Sequence, residues 1–166
     1  TIYFPAGYKF NLSELDFSGK AIVVFASGAE FISLVTEKGA FKKTDHGKKL
    51  TMIGGKFSGA GQGIRWVTTT SGTQWDEFYF DRVSFVCIGF GVYLDGVREG
   101  VLNACSFDGT VSGCLGAYRV RTVNTQFIGC YWKNTHYGVD DDGDYSPYSA
   151  GLVINGGVMI GCQVGV

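Results

Sequence analysis

The sequence is poor in the residues that mark several large protein classes. Its 166 residues include two prolines and two histidines, and charged residues make up 17% of the chain. No run approaches the roughly eighteen apolar residues of a membrane-spanning helix. Fourteen Lys and Arg against fifteen Asp and Glu give a net charge of −1, without the basic surface that nucleic-acid binding needs. The composition therefore argues against nucleic acid as a partner and against membrane insertion.

Metal-binding patterns are missing as well. The five cysteines form no Cys-x-x-Cys pair, and with His46 and His136 as the two histidines no zinc ligand set can be assembled. Each cysteine lies among apolar residues and glycines, which is typical of buried free thiols. We therefore expect no metal-thiolate centre and no cofactor.

Glycine and β-forming residues are abundant, and they recur in a repeated unit. Twenty-six glycines separate short runs of Val, Ile, Phe, Tyr and Thr. The segments "MIGGKFSG", "RVSFVCIG", "LNACSFDG", "NTQFIGC" and "INGGVMIGC" share an apolar start, a small or amide residue, a large apolar anchor and a glycine. The anchors are Phe57, Phe85, Phe107, Phe127 and Met159, at steps of 28, 22, 20 and 32 residues.

These steps indicate a basic period of about twenty residues with two insertions, which is typical of a solenoid. Three short strands and three turns use about twenty residues and return the chain above its start. The sequence therefore predicts an all-β fold, a single-stranded right-handed parallel β-helix of about seven coils. A β-sandwich is the competing fold, but it predicts strict alternation and Asn-Gly or Asp-Gly hairpins between paired runs.

The repeat also predicts which side chains stack from coil to coil. Phe85, Phe107 and Phe127 should share one buried column. Small residues two positions before each anchor should fill the tight places, namely Gly55, Val83, Cys105, Thr125 and Gly157. Asn103 and Asn155 hold equal offsets, so we expect their amides to stack at a turn, with two unrelated turn asparagines as the alternative.

Two segments resemble a known family. "TIYFPAGYKF" resembles the first coil of the pectate-lyase-like right-handed β-helices of phage tailspikes, and "LNACSFDG" resembles their recurrent coil unit. The resemblance implies a homotrimer on the virion, outside the cell, that binds or depolymerises bacterial surface polysaccharide. The strand-like start "TIYF" and the end in mid-pattern at "QVGV" lead us to expect one β-helix domain over 1–166, incomplete at both ends.

The stretch "YGVDDDGDYSPY", at 137–148, is the leading candidate for chemistry. It concentrates four of the fifteen acidic residues, and we expect it to form a loop that projects from the coils. Crowded carboxylates suit acid and base roles in glycoside cleavage, with Asp140, Asp141 and Asp142 as candidates. The spacing of Asp140, Asp142 and Asp144 also suits Ca2+, and a solvated loop is the third interpretation.

Other candidates lie elsewhere in the chain. Asp81 and Glu99 are further acid or base candidates, with an ordinary surface ion pair as the alternative. Carbohydrate binding needs flat apolar faces rimmed by hydrogen-bonding groups, and core packing competes with that role for each aromatic residue. The candidate substrate-binding residues are Trp75, Tyr79, Arg82, Trp132, Tyr137, Tyr145 and Tyr148.

Three functions follow as expectations. The first is a tailspike segment that binds and depolymerises bacterial surface polysaccharide, by hydrolysis rather than by a lyase reaction, because no Arg or Lys pairs with the acidic stretch in sequence. The polygalacturonase-like branch is matched by the Asp-Asp motif alone, since Asn134-Thr135 is followed by His136 and Gly-His-Gly is missing. The second is a non-catalytic spike or adhesin shaft, and the third is a secreted pectate-lyase-like enzyme.

Overall fold

The chain winds through successive coils of a parallel β-solenoid. The structure, a computed structural model, describes residues 1–45, 47–68, 76–87, 89–109, 115–120, 122–141 and 150–163. Its strand pairs are parallel, and the described part of the chain contains no helix. The expected all-β parallel solenoid is therefore confirmed.

The strands form three faces that run the length of the solenoid. The first face contains β1 (Ile2–Tyr3), β4 (Ile22–Phe25), β7 (Lys49–Ile53), β10 (Glu77–Asp81) and β13 (Glu99–Asn103). The second contains β2 (Lys9–Leu12), β5 (Glu30–Ser33), β8 (Lys56–Gly59), β11 (Ser84–Cys87) and β14 (Ser106–Asp108). The third contains β3 (Leu15–Asp16), β6 (Gly39–Lys43), β9 (Gln62–Val67), β12 (Phe90–Asp95), β15 (Leu115–Val120) and β17 (Tyr137–Asp141).

Two long strands join the first face to the second. β16 (Val123–Lys133) and β18 (Ala150–Ile160) continue across the corner, so the two faces form one 12-stranded sheet beside the six-stranded third face. In the described residues, each strand of the third face closes one coil, and β18 begins another. The coil count thus differs slightly from the expected seven.

An aromatic stack runs through the interior under the second face. Phe31, Phe57, Phe85 and Phe107 occupy one register position in successive strands and are all buried. The ring centroids are 5.3 Å apart for Phe57 and Phe85 and 5.0 Å apart for Phe85 and Phe107. Strand spacing of about 4.8 Å makes such stacking a direct result of parallel register.

The predicted place of Phe127 in this stack is wrong. Trp132 pairs with Phe107 and stacks on it at 5.7 Å, whereas Phe127 pairs with Leu102 on the first face. Cys130 therefore takes the small-residue position that was predicted for Thr125, because it lies two residues before Trp132. Phe127 is nonetheless buried and contacts Trp132 at 5.6 Å.

The predicted asparagine stack is also wrong. Asn103 pairs with Ile128, and Ile128 pairs with Asn155, so one coil separates the two amides. The Nδ2 of Asn103 instead donates to the Oδ1 of Asp81 at 2.7 Å in the coil before it.

Candidate functional site

The acidic stretch begins inside a strand. Asp140 and Asp141 are the last residues of β17, which Tyr137 begins, so the backbone at both positions belongs to the third face. Asp142, Tyr145 and Tyr148 lie outside the described residues, as does Trp75. Calcium binding over 140–144 stays a prediction. Among the described residues, no group of three or more His, Cys, Asp or Glu could hold a metal ion.

Asp81 lies at the corner between the first and second faces and is fully engaged. Its Oδ2 accepts hydrogen bonds from the Nε of Arg82 at 2.8 Å and forms an ion pair with the Nη2 at 2.8 Å. Its Oδ1 accepts from Asn103. Arg82 is exposed and has a φ of 53°, a left-handed conformation that turns its side chain alongside the neighbouring carboxylate. This geometry is that of a surface ion pair.

Glu99 is too far from Asp81 to act with it as an acid–base pair. Glu99 lies opposite Glu77 in the neighbouring strand, and Glu77 is four residues before Asp81. At 3.3 Å per residue, the backbones of Glu99 and Asp81 are therefore about 13 Å apart along the strand direction. The two carboxyls of a glycosidase are about 5–9.5 Å apart. Glu77 and Glu99 are opposite each other, but Glu77 binds Lys49 at 3.1 Å and Glu99 accepts from Asn124 at 3.3 Å. Lys49 lies in the coil before Glu77 and Asn124 in the coil after Glu99, so the two glutamates are held from opposite directions along the solenoid axis.

The aromatic candidates are divided between surface and core. Tyr79 points outward from the first face and is 36% exposed. Trp132 is completely buried in the aromatic stack, which accounts for this residue by core packing, and its role in substrate binding stays a prediction. Tyr137 is half-buried and makes an edge contact with His136 at 4.5 Å.

The third face carries a row of aromatic rings on its outer surface. Val92 and Leu94 are buried, so strand alternation directs Tyr93 outward, and Tyr118 pairs with it in the next coil. Tyr93 and Tyr118 have centroids 5.0 Å apart, and Phe90 lies 5.4 Å from Tyr93 and 5.0 Å from Tyr118. We call Phe90, Tyr93 and Tyr118 the aromatic row. All three rings are half-buried, so each keeps part of its surface exposed.

Opposite charges flank the aromatic row. Arg65 pairs with Tyr93 from the preceding coil, and its guanidinium lies 5.4 Å from the centre of that ring. Asp140 pairs with Tyr118 from the following coil. Successive outward positions along the solenoid axis are thus a cation, two tyrosines and a carboxylate, a surface that could both stack against a sugar ring and hydrogen-bond its hydroxyls.

In the coil before Arg65, the charge of Lys42 is neutralised by two carboxylates. Lys42 contacts Glu14 at 3.3 Å and Asp16 at 3.6 Å, and the hydrogen bond and charge of Glu14 raise the pKa of Lys42. Hydrogen bonds from Ser18 hold the pKa of Asp16 below its ordinary value. Arg65 donates from Nη1 to the carbonyl oxygen of Glu37 at 3.2 Å.

Sequence reasoning did not select Arg65, Phe90 or Tyr93. Each belongs to a strand with no unusual pattern of its own. What distinguishes them is contact with the next coil, where Arg65 meets Tyr93, and Phe90 and Tyr93 meet Tyr118. The signal that could have found them is register: aligning "GIRWV", "GVYLD" and "GAYRV" on their glycines places Arg65, Tyr93 and Tyr118 in one column.

A scan against protein-family models and searches of curated proteins and of solved structures each returned no match. Within the described residues, no helix is long and apolar enough to cross a membrane. The fold, a parallel β-solenoid consistent with a β-helix family, rests on the strand pairing alone.

Proposed function

We propose that the third face binds an extended bacterial surface polysaccharide. The observation that carries the proposal is the aromatic row, whose three rings are in mutual contact on the outer surface while Arg65 and Asp140 flank it. The core does not need these rings, because Val92, Leu94 and Ala117 fill the interior beside them. Rings spaced along the solenoid axis suit a linear polymer better than a small ligand.

Affinity electrophoresis through gels that contain a panel of capsular and O-antigen polysaccharides tests this proposal. Tyr93→Ala and Tyr118→Ala should each weaken binding to the cognate polymer by about tenfold or more, because aromatic contacts dominate such interfaces. Tyr131→Ala is the matched control, since Tyr131 is an exposed tyrosine on the second face.

The result of the control separates the interpretations. If Tyr131→Ala weakens binding as much as Tyr93→Ala, the third face is not the binding surface. If Tyr79→Ala alone abolishes binding, the polymer lies on the first face instead, where the sequence placed a candidate residue.

Cleavage of the bound polymer is the second step of the proposal. Asp140 follows the aromatic row along the solenoid axis and so borders the surface on which the polymer would lie, and Asp141 and Asp142 are the next residues in the sequence. Hydrolysis needs an acid and a carboxylate partner, which these residues would supply. Replacing Asp140 and Asp141 by Asn should then lower the release of oligosaccharides by orders of magnitude and leave binding in place.

A non-catalytic shaft is the alternative, and one observation favours it. On the first face, the sequence-predicted carboxylates Asp81 and Glu99 are held by Arg82, Asn103 and Asn124, as structural groups would be. If chromatography detects no oligosaccharide released from any bound polymer, the chain binds without cleaving. For both the depolymerase and the non-catalytic shaft, the resemblance to tailspikes implies a homotrimer on the virion, outside the bacterial cell.

A further inference from the structure

A small cavity lies beside the aromatic row, at its Arg65 end. It has a volume of about 180 Å³ and is lined by Lys42, Lys43, Thr44, Arg65 and Val67. Three of the five lining residues are basic and none is acidic, and the side chain of Lys43 is buried beside Trp66. The register of β6 and β9, which places Lys42 opposite Arg65 and Lys43 opposite Trp66, brings these residues together from two coils.

The three cations differ in how far they are neutralised. The Nζ of Lys43 is buried, bonded to the Oδ1 of Asp45 at 2.6 Å and to the carbonyl oxygen of Lys20 at 3.1 Å. Lys42 has its two carboxylate partners. None of the described carboxylates forms an ion pair with Arg65, whose recorded acceptor is the carbonyl of Glu37.

Besides the basic lining of the cavity, the state of the Arg65 Nε points to a ligand. This atom is buried and has no hydrogen-bond partner in the described part of the chain. An unsatisfied buried donor is destabilising, more so when it is charged, and such groups need an explanation. The fork of Nε and Nη2 can donate to two oxygens of one oxyanion, and Arg65 is half-buried and lines the cavity.

We propose that this cavity binds an oxyanion, a carboxylate or sulfate group carried by the polysaccharide that lies on the aromatic row. The guanidinium of Arg65 then has two roles, contacting the Tyr93 ring and donating hydrogen bonds to the acidic group. The second role fixes which end of the sugar repeat lies at Lys42. This inference rests on the proposed function, because it is the aromatic row that holds the polymer in reach of Arg65.

Titration with small anions tests the cavity without the polymer. Sodium D-glucuronate and sodium sulfate are added to the 15N-labelled chain at constant ionic strength, with D-glucose as the uncharged control, and the Arg65 Nε–H and the amides of residues 42–44 and 65 are followed by NMR. We expect a saturable shift with at least one anion and none with glucose, and the anion that binds identifies the group.

Two variants complete the test. Arg65→Lys keeps the charge and removes the fork, so it should weaken anion binding about tenfold or more, whereas Lys49→Gln on the first face should leave it unchanged. Equal shifts with glucose, no saturable shift, or an unaltered affinity in Arg65→Lys would each overturn the cavity assignment. Polymer binding that still depends on Tyr93 would then leave the proposed function standing, while anion binding without any polymer binding would overturn the function alone.

Discussion

At the scale of single residues, the aromatic stack sets the stability of the solenoid. Phe107 is buried between Phe85 and Trp132, with centroids 5.0 and 5.7 Å away. Phe107→Ala should lower the free energy of unfolding by about 3–5 kcal/mol, because two neighbouring coils hold the cavity open. Urea denaturation measures the loss. Tyr131→Ala, which removes an exposed ring from the neighbouring coil, should cost much less.

Glu30 should control part of the acid stability. It contacts Lys9 at 3.1 Å, Lys56 at 2.9 Å and the hydroxyl of Ser58 at 2.9 Å. The hydrogen bonds from Lys56 and then Lys9 lower its pKa from 4.5 to about 2. A depressed folded-state pKa gives stability that is complete above pH 4.5 and is lost as the pH falls towards 2.

Glu30→Gln should therefore reduce the steepness of the acid limb over that window. The exposed lysine partners limit the effect to about 1 kcal/mol or less. Thermal unfolding of both proteins between pH 2 and pH 5 checks this, since the wild type should lose more stability than the variant. Parallel curves would show that the ion pairs contribute nothing.

The sequence identified residue types better than residue partners. Phe57, Phe85, Phe107 and Met159 were placed correctly because each follows the corner glycine or small residue at the same offset. Phe127 was misplaced because "NTQFIGC" also satisfies that pattern. The unit that matches the other coils is "FIGCYWK", in which Phe127 is the first residue and Trp132 is the anchor. A pattern of apolar and small residues cannot distinguish the first face from the second when one strand crosses the corner between them.

At the scale of elements, a left-handed residue follows the first face at three successive corners of the solenoid. Arg82, Ala104 and Gly129 follow the same register position in successive coils, with φ values of 53°, 49° and 58°. Their backbone amides continue the parallel pairing, as the nitrogen of Ala104 donates to the carbonyl of Ile128 at 2.8 Å. These corners thus keep their backbone hydrogen bonds while one residue adopts a left-handed φ.

Ala104 and Gly129 provide a matched test of that strain. Both positions are exposed, and a Cβ added at Gly129 would meet no atom within 4 Å. Ala104→Gly should stabilise the chain by up to about 1 kcal/mol, and Gly129→Ala should destabilise it by about 1–2 kcal/mol. Equal small effects in urea denaturation would contradict a shared left-handed corner.

The candidate site illustrates what element patterns leave out. Strand alternation in "GVYLD" and "GAYRV" indicates that Tyr93 and Tyr118 point away from the core. Their contact depends on the length of the whole coil between them, which includes β13 and β14 and brings the two tyrosines into one register. Coil length carries no local sequence signature. The acidic residues form a cluster in the sequence itself, whereas the aromatic row is assembled from two coils.

At the scale of the whole molecule, burial becomes incomplete at the last coil. β18 pairs with β16 on one side, and its other edge has no partner strand among the described residues. Val153, Val158 and Ile160 point outward and are 47%, 51% and 50% exposed. An apolar, unpaired edge strand is a surface on which chains associate.

We therefore predict concentration-dependent self-association, with a trimer as the expected species if the resemblance to tailspikes holds for assembly. Light scattering across a dilution series measures the mass. Val153→Lys together with Val158→Lys should shift the equilibrium towards monomer, because charges on an edge strand oppose pairing with another chain. Tyr79→Lys is the control, since β10 already has β7 and β13 on its two sides. A wild-type mass of one chain at every concentration would contradict the prediction, and an equal response to the control would show that charge alone, not the open edge, governs association.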